Sequence, residues 1–288
     1  MGHVYRMTDH VEKLIDLALA EDIGAGDVTS EYFVPLGVQA RALMLMKADG
    51  VVAGLEVAQR VFQKVDESIE TNILIADGSR VVKGAYVMEI KGPARSILTG
   101  ERVALNFMQR LSGIATKTAV FVDLTQGTDA NVLDTRKTTP GWRELEKYAV
   151  TQGGGMNHRM GLYDRAMVKD NHLVAEHDID DIQTAISKLK KEKPHVEVEL
   201  EADRLDQVEA FLKLDGVDYI LLDNMTNEQM REAVAMRGEK KFPKLEASGG
   251  VNETTIYEIA RTGVDFISVG ALTHSAVALD ISLDFVDL

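Results

Sequence analysis

Arg136-Lys137, His158-Arg159 and Lys169 place five cationic or protonatable side chains within one short stretch of chain. Such groups repel one another around an empty pocket, so their gathering implies a ligand carrying several negative charges. Arginine forks match carboxylate and phosphate with two bonds at a time, whereas lysine acts as a point charge. Any one of them could equally be a surface ion pair, and the five together are harder to explain that way. His158 gains weight from Arg159 beside it and from the run Gly153-Gly154-Gly155 ahead of it, and reads as an anion-contacting donor.

Acids come next. In Val196-Glu197-Val198-Glu199-Leu200-Glu201 the glutamates share one face and the aliphatics the other. With the aliphatics against helices, the glutamates point inward, where they need cations or metal. Glu199 with Asp223 could hold Mg²⁺ against a diphosphate, because Mg²⁺ favours one or two carboxylates plus phosphate oxygens. Internal salt bridges from Glu199 to Lys169 or Arg136 are the competing reading, and the two can coexist. Ser248-Gly249-Gly250 before a helix and Gly270-Ala271 after a strand offer backbone N–H groups of the kind that cradle phosphate. The glycine run at 153–155 does not fit a dinucleotide fingerprint, and no P-loop occurs.

These residues need elements to hold them. From residue 131 onward, short strands alternate with helical patterns. The strands are expected at 131–134, 166–169, 196–200, 219–223, 244–247 and 266–269, and the helices at 178–191, 203–214, 227–237 and 253–261. Thr226 with Gln229 makes a capping box, and Asn252 an N-cap. Such alternation argues a parallel sheet, barrel or doubly wound. Each strand ends at or near a polar residue or glycine, and in a βα barrel the strand C-termini converge on the active face.

Before residue 131 the grammar differs. Val11, Leu14, Ile15, Ala18 and Leu19 mark an opening helix with Thr8 and Asp9 as caps, and Glu21 to Thr29 reads as an acidic, glycine-broken turn. Strand patterns at 42–46, 51–53, 81–82 and 86–90 flank a helix over 54–65, giving an α+β layer. A long helical pattern from 97 to about 111 leads out of it.

Composition narrows the classes. The chain has 288 residues, 45% hydrophobic and 27% charged, which excludes wholesale disorder. Its net charge of −14 argues against nucleic acid or an anionic membrane as partner. No apolar run is long enough to span a bilayer, and no leader opens the chain. Zero cysteines removes disulfides and thiolate chemistry and fits a cytoplasmic protein. Against this acidic background residues 134–170 are net positive, again pointing to a small anionic ligand. Arg143 and Lys147, four apart, read as a solvated helix face.

The motifs, taken with their flanks, resemble those of the quinolinate phosphoribosyltransferases. The blocks are Glu21-Asp22-Ile23-Gly24 through Asp27-Val28-Thr29, Glu101-Arg102-Val103-Ala104-Leu105-Asn106, and Ser112-Gly113-Ile114-Ala115-Thr116. Thr135-Arg136-Lys137-Thr138-Thr139-Pro140-Gly141 and Gly153-Gly154-Gly155-Met156-Asn157-His158-Arg159 follow, and together these two are highly specific. Lys169-Asp170-Asn171-His172, Leu222-Asp223-Asn224, Ser248-Gly249-Gly250 and Ser268-Val269-Gly270-Ala271-Leu272-Thr273-His274-Ser275 complete a likeness running nearly end to end.

The resemblance implies an α/β chain. Residues 1–113 would form an N-terminal α/β sandwich, 114–272 an incomplete, about seven-stranded α/β barrel, and 273–288 a segment returning to the first domain. It implies transfer of phosphoribosyl from 5-phosphoribosyl 1-diphosphate (PRPP) to quinolinate with decarboxylation, giving nicotinate mononucleotide, diphosphate and CO₂, a step of NAD synthesis. Arg136, His158, Arg159 and Lys169 would bind the quinolinate carboxylates, with Arg102 reaching across a homodimer interface. Lys137 and Lys169 would contact the diphosphate, Glu199 and Asp223 the ribose hydroxyls and Mg²⁺, and Ser248, Gly249, Gly250, Gly270 and His274 the 5-phosphate. Three alternatives compete: a nicotinate-type phosphoribosyltransferase, a Schiff-base lyase using Lys169, and a non-catalytic relative binding a phosphorylated ligand. The number of cations favours a dicarboxylate over nicotinate.

Overall fold

The structure, a computed structural model, describes residues 7–169 and 179–287. Asp170, Asn171 and His172 of the expected block Lys169-Asp170-Asn171-His172, and the first residue of the helix expected from 178, lie outside them. The chain divides into two compact units, one of residues 1–119, 139–154 and 275–288, the other of 120–138 and 155–274.

The first unit opens with α1 (Asp9–Ile23), whose Thr8 hydroxyl accepts the Val11 N–H as its N-cap. Val11, Ile15 and Leu19 are its buried stripe. The glycine-broken segment after it holds a short helix, α2 (Val28–Phe33), capped by the Asp27 carboxylate on Ser30 N–H at 2.9 Å. Six residues are too few to show a helical period, which is why it reads as turn in the sequence. Then come β1 (Gln39–Met46), β2 (Gly50–Val51), α3 (Leu55–Val65), β3 (Glu70–Ile73), β4 (Arg80–Val81), β5 (Tyr86–Pro93) and α4 (Ala94–Leu124). The last strand of the chain, β12 (Ile281–Asp287), pairs antiparallel with β1, giving a sheet ordered β12-β1-β5-β3. β3 carries no apolar alternation because neither of its faces is fully buried.

α5 (Arg143–Gln152) also belongs to this unit. Trp142, just before it, stacks on Phe107 of α4 at 4.6 Å between ring centroids and 20° between planes. Such a stack adds about 0.5–1.5 kcal/mol beyond area burial. The expected solvated face of α5 is corrected by this packing: Lys147 is 1% exposed and its neighbour Glu146 is fully buried. Helical spacing shows which residues share a face but not what that face meets.

The second unit holds β6 (Asn131–Leu133), β7 (Arg165–Val168), α6 (Ile179–Glu192), β8 (Glu197–Ala202), α7 (Leu205–Phe211), β9 (Tyr219–Asp223), α8 (Asn227–Arg237), β10 (Lys244–Ser248), α9 (Ile256–Ala260), β11 (Phe266–Ser268) and α10 (Ala271–His274). All six strands are parallel, in the order β6-β11-β10-β9-β8-β7. A single parallel bridge between Leu133 and Met156 adds a seventh position beside β6. Among the described residues no pairing joins that bridge to β7, so the barrel is open there, as an α/β fold with an incomplete barrel requires. The Thr226–Gln229 capping box is formed. Asn252 instead closes the turn ahead of α9, accepting Thr254 N–H at 2.9 Å, and Thr255 takes the N-cap position.

Candidate active site

Parallel strands place all their C-terminal ends on one edge, and that edge of the second unit carries a cavity of about 430 Å³. Arg136, Lys137, His158, Arg159, Lys169, Asp223, Ser248, Gly249 and Gly250 line it, so the expected cations, one expected acid and the glycine turn do meet. The volume lies in the range of small-molecule sites. Lys137 follows β6 and Lys169 follows β7, whereas Arg159 follows the glycine run. Arg159 is steadied by β7: its Nη1 donates to the Arg165 carbonyl at 3.1 Å. Burial first, and the Arg136 guanidinium second, lower the Arg159 pKa from its ordinary value. An anion between the two would relieve both costs.

Gly270 and His274 stand beside Lys137. A Cβ added to Gly270 would lie 2.9 Å from Lys137 Cδ and 3.2 Å from His274 Nε2. Glycine here leaves the Lys137 and His274 side chains room to approach each other. At the neighbouring turn Asn224 adopts a left-handed φ of 53°, donating from Nδ2 to Asp223 Oδ2 at 2.9 Å and from its N–H to the Ser248 carbonyl at 2.9 Å. Gly249, at φ 93°, packs so closely against the Asn224 side chain that no Cβ fits. Asp223 and Ser248 are register partners of β9 and β10, which brings the expected acid and the expected phosphate turn together. Arg102 sits in the first unit, on α4.

Glu199 lies elsewhere than its expected place beside Asp223. It is fully buried, with Oε2 3.1 Å from His158 Nε2 and 3.5 Å from Arg165 Nη1. Of the three β8 glutamates the one that lines the cavity is Glu201, two residues further along and paired with Lys169 Nζ at 2.6 Å; Glu246 of the strand after next lines it as well. Each strand residue advances about 3.3 Å, so two residues decide between floor and wall. A signal was present: of the three glutamates, Glu201 is nearest the C-terminal strand end.

His158 is turned the same way. Its Nδ1 accepts the Arg159 N–H at 2.7 Å, which leaves Nε2 as the N–H that faces Glu199 and, at 3.5 Å, Glu246. Its own backbone N–H donates to the fully buried Asp134 carboxylate at 2.9 Å, fixing the segment after the glycine run to the end of β6. The imidazole thus holds the Arg159 backbone while remaining part of the cavity lining. Burial, and then the Glu199 carboxylate, push the Glu246 carboxyl well above the ordinary carboxylate range. Burial also opposes the Glu199 charge, but His158 and Arg165 outweigh it and hold that pKa below the ordinary value. His158, Glu199 and Glu246 form a buried cluster capable of coordinating a divalent metal ion, their ligand atoms lying within 4.8 Å of one another. Glu246 went unnoticed in the sequence, although a glutamate inside Leu245-Glu246-Ala247, an otherwise apolar buried strand, is a signal that it has a partner.

Comparison with known proteins follows this geometry. A family described as "Quinolinate phosphoribosyl transferase, N-terminal domain" matches residues 27–112, and its companion "Quinolinate phosphoribosyl transferase, C-terminal domain" matches residues 114–284. Quinolinate phosphoribosyltransferase [decarboxylating] 1b of Nicotiana tabacum is 41% identical over 292 residues, covering 96% of this chain and 82% of its own. The probable nicotinate-nucleotide pyrophosphorylase [carboxylating] of Bacillus subtilis is 40% identical, covering 95% and 93%. The solved nicotinate-nucleotide pyrophosphorylase of Francisella tularensis superposes with a TM-score of 0.91 at 38% identity, over 99% of this chain and all of its own. Among the described residues no helix is long and apolar enough to cross a membrane.

Proposed function

This chain belongs to the quinolinate phosphoribosyltransferase family, and on that premise we propose how its residues carry the reaction. The protein is a phosphoribosyltransferase. It transfers phosphoribosyl from PRPP to quinolinate with decarboxylation, giving nicotinate mononucleotide, diphosphate and CO₂. The observation that carries the residue assignment is that Arg136, Arg159 and Lys169 line one cavity with the Asp223–Ser248 turn, the Arg136 guanidinium working against the charge on Arg159.

Arg136 and Arg159 bind the two quinolinate carboxylates, with Lys169 adding charge and His158 holding the Arg159 backbone. Arg102 completes the pocket from a second copy in a homodimer, since the excess of cations suits a dicarboxylate. Lys137 meets the diphosphate; Ser248, Gly249, Gly250, Gly270 and His274 receive the 5-phosphate. Asp223 and Glu201 hold the ribose hydroxyls. Glu199 is kept for the floor, where it orients His158.

Mg²⁺ suits the wall pair better than the buried cluster. It prefers oxygen ligands, keeps several waters, and is commonly shared between one or two carboxylates and phosphate. Asp223 and Glu201 offer oxygen ligands on the cavity lining, whereas the buried cluster includes a nitrogen donor. When bound there, Mg²⁺ would offset the charge of the departing diphosphate.

Departure of diphosphate leaves an oxocarbenium-like ribose, and the pyridine nitrogen bonds to its anomeric carbon. The positive ring nitrogen then stabilises the electron pair left on the adjacent carbon as its carboxylate departs as CO₂, and a proton taken up there from water gives nicotinate mononucleotide. Side chains here position and neutralise; none needs to be a nucleophile. The domain limits 1–113, 114–272 and 273–288 belong to the same proposal, supported by family matches that end at 112 and begin at 114. So does a cytoplasmic setting, supported by the lack of cysteine. A direct test supplies purified protein with PRPP, Mg²⁺ and either quinolinate or nicotinate. Nicotinate mononucleotide and CO₂ should form in equal amounts from quinolinate, with little product from nicotinate. Comparable turnover of nicotinate would overturn the dicarboxylate assignment.

A further inference from the structure

The chain passes between its two units four times, and two of those passages fall after Thr138 and after His274. Both passages lie within two residues of a proposed phosphate ligand, Lys137 in one case and His274 itself in the other. On the first unit's side both are gripped by one pair of side chains. Glu146 of α5, fully buried, accepts the Thr139 N–H on Oε2 at 3.1 Å and the Thr139 hydroxyl on Oε1 at 2.7 Å. Arg110 of α4 donates from Nη2 to Glu146 Oε1 at 2.8 Å and from Nε at 3.2 Å. The same guanidinium donates from Nη1 to the Ala276 carbonyl at 3.0 Å. On the second unit's side the Thr273 hydroxyl donates to the Lys137 carbonyl at 2.8 Å. The two passing segments are thus each held in place on either side of the crossing.

A buried ion pair is a poor way to stabilise a fold, since a well-packed hydrophobic pair of similar volume often does as well or better. What Arg110 and Glu146 add is direction. Their bonds go to chain segments beyond their own helices, and Thr139 is spent on Glu146 through both its donors. We propose that Arg110 and Glu146 are positioning residues for PRPP: by holding Thr139 and Ala276 they set where Lys137 and His274 meet its phosphate groups. This rests on the assignment of Lys137 and His274 given above.

Thr139→Val keeps the side-chain shape and the backbone bond while removing the hydroxyl bond to Glu146, and Thr139→Ser keeps both. A hydrogen bond to a charged group is stronger than one between neutral groups, and part of its loss reaches the ligand. Steady-state kinetics on the full chain should show KM for PRPP raised roughly five- to twentyfold in Thr139→Val, KM for quinolinate changed less than about twofold, and recovery in Thr139→Ser. Arg110→Lys should shift the same constant in the same direction, because a single ammonium cannot serve both Glu146 and Ala276. A Thr139→Val protein with unchanged KM for PRPP, or with both KM values raised alike, overturns the proposal and leaves the pair a purely structural role. Lys137→Ala, run alongside, separates the two levels. If it also leaves KM for PRPP unchanged, the phosphate assignment itself has failed; if it raises that KM while Thr139→Val does not, only the clamp has.

Discussion

Glu199 and Glu201 differ by one repeat of the strand pleat and share a face, yet one is sealed in the floor and the other opens on the cavity. That difference makes their roles separable. Glu201→Gln and Asp223→Asn should each raise the Mg²⁺ concentration needed for half-maximal activity, whereas Glu199→Gln should leave that requirement unchanged and act through His158 on KM for quinolinate. A Glu199→Gln enzyme with a shifted Mg²⁺ requirement would return the metal to the buried cluster. Arg136→Ala is a sharper loss. Truncating one side of a desolvated charge pair costs about 2–5 kcal/mol, so kcat/KM for quinolinate should fall at least about thirtyfold by that arithmetic, measured at saturating PRPP. At this scale the cations were legible in the sequence, because their number in so short a stretch has few innocent explanations. The choice between two glutamates was not, because depth along a strand depends on where the neighbouring strands begin.

At the scale of elements, Asp265 ties three of them at the end opposite the cavity. Just before β11, it accepts the Leu245 N–H of β10 at 2.9 Å and Lys244 Nζ at 2.9 Å, and it pairs with Arg237 at the end of α8. Burial works against its charge, but these partners outweigh burial and hold its pKa below the ordinary value. A depressed carboxyl contributes stability that is present above its unfolded pKa, near ~3.9, and is lost as pH falls through the folded value. Asp265→Asn should therefore cost about 1–3 kcal/mol at neutral pH, and the Tm gap from the native chain should close as pH drops below about 4. A gap that persists in acid would mean that packing, rather than charge, is what Asp265 supplies. The strands and helices of this unit were readable from alternation and caps, as Thr226 with Gln229 illustrates. Asn252 misled because an Asx turn and an N-cap use the same side-chain oxygen on the same backbone donors.

At the scale of the whole molecule the proposed homodimer gives a test that needs no structure. Under that proposal Arg102 of one copy and Lys169 of the other serve the same site. Arg102→Ala and Lys169→Ala proteins, each nearly inactive alone, should regain measurable activity when unfolded and refolded together, since mixed dimers then contain one intact site. No recovery, with mixed dimers demonstrated by mass spectrometry, would place Arg102 in the site of its own chain or outside it. The sequence by itself determined the chemistry of the pocket and the alternation of the second unit, because charge, hydrogen-bonding type and strand period are properties of residues and of their spacing. Only the tertiary structure decided that Glu201 rather than Glu199 faces the cavity, that His158 Nδ1 holds the Arg159 N–H, and that Glu146 and Lys147 are buried. Each of these turns on which groups from distant parts of the chain arrive at the same place, and burial and hydrogen-bond partners exist only once the chain has closed on itself.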